Sequence, residues 1–453
     1  MAVALVTAVP MAAEASAGAV DRSSGLYVVP YKPGTRVEVR WDHTNHEPKN
    51  RIDLRGRGGT RYDIVAAAAG TIRYLVDSFS ENRPKGNPCN NNYVWIEHPN
   101  GELTKYSHMT KGSTTGAAGL EVGDHVETGQ FLGYEDDVGC AGRNHLHFEV
   151  GVPANPADPI NEGGFLYGGE EENRIPRICG IPGQQFVKGK IFVVGDIKPG
   201  AREYALHGVP ESRYLKLWRQ AADCGYRLVW LDGYTDDGVP EFNLVFHNNN
   251  PKLSWRSHRR MTSAEYQQRF DKYRDAGYRL SHLDSYAVGN TIRYAAIWTK
   301  ASGPRYAAYH GLTAAEHQKR LDDLVARGYR PRIISAATVG GVRRVSALFF
   351  KIAVGSFEAR SLLTPAEYQA KFDSNSAAGR RLVYLNAYSH SGSPRFTAIW
   401  WAVPAASIIA RHGLSAGGYK AAYDQNTAQG YFTGAVTGYE QAGSVRYAAF
   451  WAK

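Results

Sequence analysis

The sequence predicts a β-rich protein of several domains, in which an antiparallel N-terminal domain is followed by a series of repeats. A chain of 453 residues is too long for one ordinary hydrophobic core, so two or three domains are expected. Its 28 tyrosines and 48 glycines suit strands that are joined by many tight turns. The second half of the chain also repeats itself with a period of about 51 residues.

The N-terminal domain is expected over residues 25–166, where strand-like runs alternate with turns rich in Gly, Asn and Pro. The clearest hairpin joins residues 93–98 to residues 103–109 across a turn at 99–102. A further strand ends the domain at 144–150, and it carries His145 and His147 two residues apart. Successive side chains of a strand alternate between faces, so these two imidazoles should share one face of an antiparallel sheet.

The repeats occupy residues 201–453, and each is marked by a glycine that closes a helix. The marker glycines are Gly225, Gly277, Gly328, Gly379 and Gly430. A Thr-x-x-Glu capping box starts the helix in units two to four, and two strand-like runs follow each glycine. The pattern therefore predicts five α+ββ units, at about 201–250, 251–302, 303–353, 354–404 and 405–453.

One unit of this size cannot bury its apolar face alone, so the five units should stack on one another. A closed, propeller-like ring would hide their edge strands, and an open stack is the alternative. Each unit also opens near a histidine, except the fourth, where Ser361 stands in its place; the histidines are His207, His258, His310 and His412.

The two remaining segments look like a leader and a linker. Residues 1–17 are apolar, rich in small residues and end in Ala15-Ser16-Ala17, which is typical of a secretory signal peptide, although the usual basic start is missing. Residues 167–200 are rich in Gly, Pro and Glu and are predicted to be a linker or a loosely packed collar.

The four cysteines are even in number and suit the oxidising compartment of a secreted, extracellular protein. Two fall inside the first domain and two after it, which predicts the pairs Cys89–Cys140 and Cys179–Cys224. No C-x-x-C motif occurs, so a cysteine-based zinc site is not expected.

The formal charge of +10 suits an anionic partner, such as a cell-wall polymer, nucleic acid or a membrane surface, without choosing among them. Its Lys and Arg residues form no block, which argues against nucleic acid binding. No apolar run reaches the roughly 18 residues that a membrane-spanning helix needs. We expect a monomer.

Residues with the chemistry of a metal site accumulate in the first domain. The candidates are His46, Asp53, His108, His145 and His147. Two histidines and a carboxylate, here His46, Asp53 and His147, can hold one zinc ion and leave a position for water. The other two imidazoles, His108 and His145, would then act on that water and on the developing oxyanion. This chemistry suits hydrolysis of an amide or ester.

The stretch from about residue 46 to residue 150 resembles the M23 metallopeptidases, the zinc endopeptidases of the lysostaphin and LytM type. The matching motifs are His46 with the later Asp53, Tyr106-Ser107-His108, and the terminal run His145-Leu146-His147-Phe148-Glu149-Val150. The resemblance implies zinc ligands at His46, Asp53 and His147, catalytic imidazoles at His108 and His145, and an antiparallel sheet that forms an open groove.

The sequence departs from the family pattern in the spacing between the first two ligands. His46 and Asp53 are seven positions apart, where the family usually has about four, and this leaves His43 as a rival to His46. Arg143-Asn144 also replaces the small residues that the family commonly has before His145.

These observations favour a secreted zinc metalloendopeptidase that hydrolyses peptidoglycan cross-bridges or glycine-rich peptides. The C-terminal half resembles bacterial tandem repeats found beside secreted hydrolases, and we expect it to bind a surface or substrate, such as a cell-wall glycan. One alternative is a catalytically inactive LytM-like regulatory or binding module. Another is an adhesin or lectin in which the repeats carry the function.

Overall fold

The computed structural model describes residues 21–83, 89–161, 163–404 and 407–453. The chain forms two compact units, Met1–Pro199 (unit 1) and Gly200–Lys453 (unit 2). The predicted signal peptide, residues 1–17, lies outside the described residues. Among the helices that are described, none combines the length and the apolar character needed to cross a membrane.

Unit 1 is built on one eight-stranded sheet and a small two-stranded sheet. Its strands are β1 (Arg36–Trp41), β2 (Ile52–Arg57), β3 (Asp63–Val65), β4 (Gly70–Val76), β5 (Tyr93–Glu97), β6 (Leu103–Ser107), β7 (His125–Val126), β8 (Phe131–Tyr134), β9 (Leu146–Gly151) and β10 (Ile191–Val193). The large sheet has the order β10-β1-β2-β9-β6-β5-β4-β7, and β3 pairs with β8. All its strand pairs are antiparallel, as the sequence predicted.

Strand β9 shows how the sequence places the core and the polar side chains on opposite faces. Leu146, Phe148 and Val150 are fully buried in the hydrophobic core of unit 1. The alternate residues, His147 and Glu149, therefore point to the other face of the sheet. A one-residue change of register would exchange the two sets, so the apolar side chains fix where the histidine points.

The segment 167–200, predicted as a linker, belongs to unit 1 as far as Pro199. Its apolar side chains Ile178, Ile181 and Phe186 are buried in the same core, and β10 pairs with β1. The abundance of Gly, Pro and Glu was misleading because these few apolar residues are enough to anchor the segment.

Unit 2 consists of five β-α-β-β repeats, numbered here in chain order. Its elements are β11 (Glu203–Pro210), α1 (Glu211–Asp223), β12 (Tyr226–Asp236), β13 (Val239–Asn248), β14 (Trp255–Met261), α2 (Ser263–Asp275), β15 (Arg279–Val288), β16 (Thr291–Thr299), β17 (Tyr306–Thr313), α3 (Ala314–Ala326), β18 (Arg330–Val339), β19 (Val342–Phe350), β20 (Phe357–Leu363), α4 (Pro365–Ala377), β21 (Arg381–His390), β22 (Ser393–Trp401), β23 (Ile408–Leu414), α5 (Ala416–Ala428), β24 (Phe432–Gln441) and β25 (Ser444–Ala452). Each repeat forms its own three-stranded sheet, and in the described residues none of these sheets closes on itself.

The strand before each helix was missed because a bulge interrupts its alternation. The residue at the bulge has a left-handed backbone in all five repeats; its φ is +58° at Gly208, +56° at Arg260, +67° at Gly311, +63° at Leu362 and +69° at Gly413. Glycine adopts this conformation without strain, whereas arginine and leucine do so at a cost.

The residue just before the bulge packs on the helix of the preceding repeat. His310 makes an edge-to-face contact with Tyr266, with ring centroids 4.6 Å apart, and Arg259 lies 3.7 Å from the ring centroid of Tyr214. The prediction that placed His258 at this position in the second repeat was therefore wrong by one residue. His258 pairs with Ala296, and the basic group on the neighbouring aromatic ring is Arg259.

Neighbouring repeats are also joined at one equivalent position of their first hairpin strand. In each repeat a side chain there accepts a hydrogen bond from a backbone N–H of a neighbour: Gly233 to Asp284 (2.9 Å), Ser285 to Ser335 (2.8 Å), Ala336 to Asn386 (2.9 Å), Ala387 to Thr437 (3.1 Å) and Gly438 to Asp232 (2.9 Å). The last of these joins the fifth repeat to the first.

Candidate metal centre

Three neighbouring strands bring the carboxylate and one histidine of the candidate site together. Asp53 is the second residue of β2, and it lies opposite Trp41 on β1 and His147 on β9. His147 in turn lies opposite Ser107 on β6. The registers of these pairs therefore place Asp53 and His147 side by side on the polar face of the sheet.

His46 reaches the site from the loop that joins β1 to β2. Asp42 begins this loop, and its Oδ1 accepts hydrogen bonds from the backbone N–H groups of Thr44 (3.1 Å) and Asn45 (3.2 Å). This turn folds the chain back, so that His46 Nε2 lies 3.3 Å from Asp53 Oδ1. The long spacing between these two residues is absorbed by the loop and does not separate their side chains.

The rival residue, His43, lies elsewhere in the same loop. Its Nε2 accepts a hydrogen bond of 3.0 Å from Gln185 Nε2. Neither of the two metal-competent groups in the described part of the chain includes His43.

His145 and His108 complete the cluster from the other side. His145 precedes β9 and its Nε2 lies 3.5 Å from Asp53 Oδ1. His108 follows β6 with a left-handed backbone (φ +64°), and its ring centroid lies 4.8 Å from that of His145. All five candidate residues are thus brought together in one cluster.

The geometry of the cluster fits a tetrahedral zinc ion. Asp53 Oδ1 lies 3.1 Å from His147 Nδ1 and 3.3 Å from His46 Nε2, and the three donors lie within 4.8 Å of one another. With zinc–ligand bonds of about 2.0–2.1 Å, the ligands of a tetrahedral ion are about 3.3 Å apart. The donor set of two imidazoles and a carboxylate is one that zinc prefers.

In each of the four imidazoles, the outward nitrogen, which is the one that points away from the cluster, is held by an oxygen acceptor. The hydrogen bonds run from His46 Nδ1 to Pro48 O (2.8 Å), from His108 Nδ1 to Val138 O (2.9 Å), from His145 Nδ1 to Arg143 O (2.6 Å) and from His147 Nε2 to Glu149 Oε1 (2.8 Å). A carbonyl or carboxylate oxygen can only accept, so the outward nitrogen of each ring carries the proton. The inward nitrogens of His46 and His147, which face Asp53, can consequently offer lone pairs to a metal ion, as metal-binding histidines do.

The charges within the cluster move the pKa values of its groups in opposite directions. Burial opposes ionisation of Asp53, but hydrogen bonds from His145, His147 and His46 hold its pKa well below the usual value. Burial, together with His145 and His147, lowers the pKa of His108 far below its ordinary value. Burial also disfavours a charged His145, yet Asp53 outweighs this and raises its pKa. The site thus holds a carboxylate, a neutral imidazole and a more basic one.

The disulfide Cys89–Cys140 supports the wall that carries His108. Residues two positions from each cysteine hold this histidine: Asn91 Oδ1 accepts from its backbone N–H (3.2 Å), and the Val138 carbonyl binds its ring. Cys179 and Cys224 are disulfide-bonded as well, and none of the four cysteines is free.

Beneath His147 lies a buried charge cluster that the sequence analysis missed. Glu149 Oε1 accepts from His147, and it lies 3.4 Å from Lys105 Nζ; Arg51 Nε lies 3.4 Å from Glu149 Oε2. The side chains of Lys105 and Glu149 are fully buried, and Lys105 Nζ lies 3.2 Å from the ring centroid of Phe165.

One signal in the sequence pointed to this cluster, and the strand register of the structure adds its second member. Glu149 is two residues beyond His147 on the same strand, so it shares the face of the histidine. Lys105 lies directly opposite Glu149 in the pairing of β6 with β9. Such charges are almost never fully buried unless they are paired, which is why neither was singled out.

Comparisons with known proteins match both units. The model of peptidase family M23 matches residues 47–159, and members of this family are zinc metalloproteases. The model described as a polyglycine hydrolase-like structural repeat matches 200–249, 252–301, 303–352, 354–401 and 405–453. These five segments cover more than half of the chain. Both resemblances drawn from the sequence are confirmed.

Individual relatives match the first part of the chain. The peptidoglycan DD-endopeptidase ShyC of Vibrio cholerae is 28% identical over 158 residues, which are 34% of this chain and 30% of the relative, so the chain spans less than a third of that protein. The catalytic domain of lysostaphin from Staphylococcus simulans is 21% identical, with 28% of this chain and 79% of that chain covered and a TM-score of 0.18. Helicobacter pylori Csd3 is 23% identical, with 32% of this chain and 36% of that chain covered and a TM-score of 0.20.

The described residues therefore combine a β-rich unit that holds the histidine and aspartate cluster with a second unit made of five copies of one fold. The chain belongs to the family built from the polyglycine hydrolase-like structural repeat, and it carries a peptidase family M23 domain ahead of its five repeats.

Proposed function

We propose that this protein is a secreted zinc endopeptidase that cleaves peptide bonds in peptidoglycan, with His46, Asp53 and His147 as zinc ligands. The observation that carries the proposal is the convergence of four oriented imidazoles on the Asp53 carboxylate. A purely structural role would not require all four histidines to have the ring nitrogen that points away from the cluster held by an oxygen acceptor.

The zinc ion, when bound, supplies a Lewis acid and lowers the pKa of a coordinated water molecule. His108 can take up a proton at Nε2, because its Nδ1 proton is already donated to Val138. His145 is the more basic imidazole, and its Nε2–H can donate to the oxygen of the scissile amide as negative charge develops there. Glu149 holds the tautomer and orientation of His147.

The substrate part of the proposal rests on the relative and on the chemistry of the site. ShyC is a peptidoglycan DD-endopeptidase. The disulfide Cys89–Cys140 and the absence of a free thiol in the described residues suit an extracellular protein. The sequence alternative of an inactive module would be favoured by a missing ligand or catalytic imidazole, and all five are present here.

The decisive experiment is turbidity clearing of purified cell walls by the wild type and by His147→Ala, with zinc measured in both proteins. We expect about one zinc per wild-type chain and both zinc and clearing lost in the variant. His125→Ala is the matched control, because His125 is an exposed histidine of unit 1 outside the cluster. Clearing and zinc retention by His147→Ala would overturn the assignment, and mass spectrometry of released fragments identifies the bond that is cut.

We further propose that the five repeats form a closed ring that holds the enzyme on its substrate. In support, Trp230 Nε1 of the first repeat donates to Val436 O of the fifth (2.7 Å), and Gly438 N donates to Asp232 (2.9 Å). Deleting residues 405–453 should then raise hydrogen exchange in β12 of the first repeat as well as in the fourth repeat. In an open stack, only the fourth repeat would respond.

A further inference from the structure

The net positive charge of this protein comes from unit 2. Unit 2 contains 33 Lys and Arg residues against 19 Asp and Glu, whereas unit 1 contains 20 against 24. The formal charge of +10 therefore divides into about +14 on the repeats and about −4 on the peptidase unit. A charge so unevenly divided is a property of the repeats, not of the chain as a whole.

Within unit 2, six cations without a carboxylate partner lie at the ends of the sheets away from the hairpin turns, in every repeat except the fourth. We call this the basic face and define it by Arg202, Lys252, Lys300, Arg305, Lys351 and Lys453, which are all exposed. The strand registers place them together: Trp255 and Arg279 both lie opposite Thr299, which immediately precedes Lys300. Tyr306 and Arg330 both lie opposite Phe350, which precedes Lys351 in the same way.

The basic face has few carboxylates to neutralise it. None of its six residues has a carboxylate oxygen within 4.0 Å in the described part of the chain. Glu203 and Glu358 lie nearby, but Glu203 accepts two hydrogen bonds from Thr433, and Glu358 is bound by Arg360 and Lys371. Asp275 is paired with Arg274. The cations of the basic face therefore remain available to an external anion.

The opposite end of the sheets differs in this respect. It carries an arginine at one equivalent position in each of the last four repeats, namely Arg293, Arg344, Arg395 and Arg446, and Arg343 in addition. Hydrogen bonds from the N-cap threonines lower the pKa of the helix-capping residues Glu265, Glu316 and Glu367 in these repeats, and Arg293, Arg344 and Arg395 lower it further. Lys300 is seven residues from Arg293 along the chain, so the two ends are separated by about 23 Å at 3.3 Å per residue.

The tyrosine rings at the basic face are partly buried and lie beside its lysines. The amino groups of Lys300, Lys351 and Lys453 lie 5.9, 5.8 and 5.7 Å from the ring centroids of Tyr278, Tyr329 and Tyr431. Single-stranded nucleic acids need open aromatic faces, and duplexes need an element that enters a groove. The end of a sheet supplies no element that enters a groove, and its tyrosines are only partly exposed, so the charge suits a flexible polyanion better than a nucleic acid.

We propose that the basic face binds an anionic wall glycopolymer, one that carries phosphodiester or carboxylate groups along its chain. This inference rests on the proposed function, because a wall substrate places such a polymer beside the peptidase. Lys300, Lys351 and Lys453 occupy equivalent positions of the second, third and fifth repeats, so they can contact several anionic groups of one polymer at once. Binding through many weak contacts gives avidity that no single contact supplies.

The test measures binding of the full chain to poly(glycerol phosphate) and to polygalacturonate, neither of which contains a peptide bond. The basic-face variant combines Lys300→Gln, Arg305→Gln, Lys351→Gln and Lys453→Gln. The control variant combines Arg293→Gln, Arg344→Gln, Arg395→Gln and Arg446→Gln, and it removes the same number of charges at the other end. Circular dichroism melting checks that both variants are folded.

We expect the basic-face variant to bind at least one of the two polyanions at least tenfold more weakly, with a smaller dependence on salt, and the control variant to change affinity less than twofold. The two polymers distinguish phosphodiester from carboxylate recognition. Equal losses in both variants, no loss in either, or tighter binding of a 30-base-pair DNA would overturn the proposal. Because no peptide bond is cleaved, the outcome is independent of whether the walls are cleared.

Discussion

Replacing Glu149 with glutamine tests whether the buried charge cluster orients the zinc ligand His147. The substitution keeps the size of the side chain and an oxygen that can accept from His147 Nε2, but it removes the negative charge. Lys105 then loses its partner in a fully buried position. Its pKa is already lowered to about 7, because burial outweighs the attraction of Glu149.

Two effects of different size are expected from this change. Removing one member of a buried ion pair costs about 3–5 kcal/mol, and loss of the Lys105 proton should bring the cost to the lower end of that range. Loss of a carboxylate that supports a metal-binding histidine weakens metal affinity about 10- to 100-fold, which corresponds to about 1.4–2.8 kcal/mol. Stability and zinc affinity should therefore both fall, for separate reasons.

A second variant separates these two effects. Glu149→Gln combined with Lys105→Met removes the unpaired cation and should recover most of the lost stability, measured as the free energy of unfolding in urea without zinc. Its zinc affinity, measured by competition with a chelator, should stay as low as that of the single variant. Zinc affinity within twofold of wild type in Glu149→Gln would refute the idea that Glu149 positions His147.

Three further substitutions test other parts of the structure. Burial raises the pKa of Asp284 from 3.8 to about 6, so the stabilisation by its protonated form is complete below pH 4 and is lost as the pH rises through 6. Asp284→Asn copies Asn386 of the fourth repeat, and its free energy of unfolding in urea, relative to wild type, should be about 3 kcal/mol higher at pH 8 than at pH 4. Leu362→Gly should stabilise unit 2 by about 1 kcal/mol, because it relieves a φ of +63° at an exposed residue. Replacing both Cys89 and Cys140 with serine opens a link of sequence separation 51 and should cost about 4 kcal/mol in unfolding of unit 1.

Each of these has an internal control. A gain in Asp284→Asn that does not change with pH would show that the carboxyl group is not protonated by folding. Leu363→Gly, at the buried neighbour of Leu362, should destabilise, and a stabilised Leu363→Gly would contradict the explanation from backbone strain. If the cysteine variant has the same free energy of unfolding as the wild type under oxidising conditions, the disulfide does not stabilise the part of unit 1 that carries His108.

The sequence was sufficient to predict the groups that meet in the cluster. Alternation along β9 places His145 and His147 on one side of the strand, and the hairpin of β5 and β6 delivers His108 to its end. The choice between His46 and His43 was beyond the sequence, because it depends on hydrogen bonds from Asp42 that fold one loop. Their assigned roles stay predictions until the variants are measured.

In unit 2 the sequence predicted the helices better than the strands. The capping boxes at Thr262, Thr313 and Thr364 are present and begin helices at the next residue. The strand before each helix was missed, since its bulge destroys the period of two on which strand prediction depends. The contacts between repeats were likewise unpredictable, because they involve a different residue type in almost every repeat.

The side chains that join neighbouring repeats show what such a joint requires. Asp232, Asp284, Ser335, Asn386 and Thr437 include acidic, amide and hydroxyl side chains, yet each accepts one hydrogen bond from a backbone N–H. This position thus requires only one acceptor oxygen within hydrogen-bonding distance of the neighbouring repeat, because the donor is a backbone N–H. Repeats built in this way can exchange their residues there one at a time, so their sequences can drift apart while the assembly of the repeats is preserved.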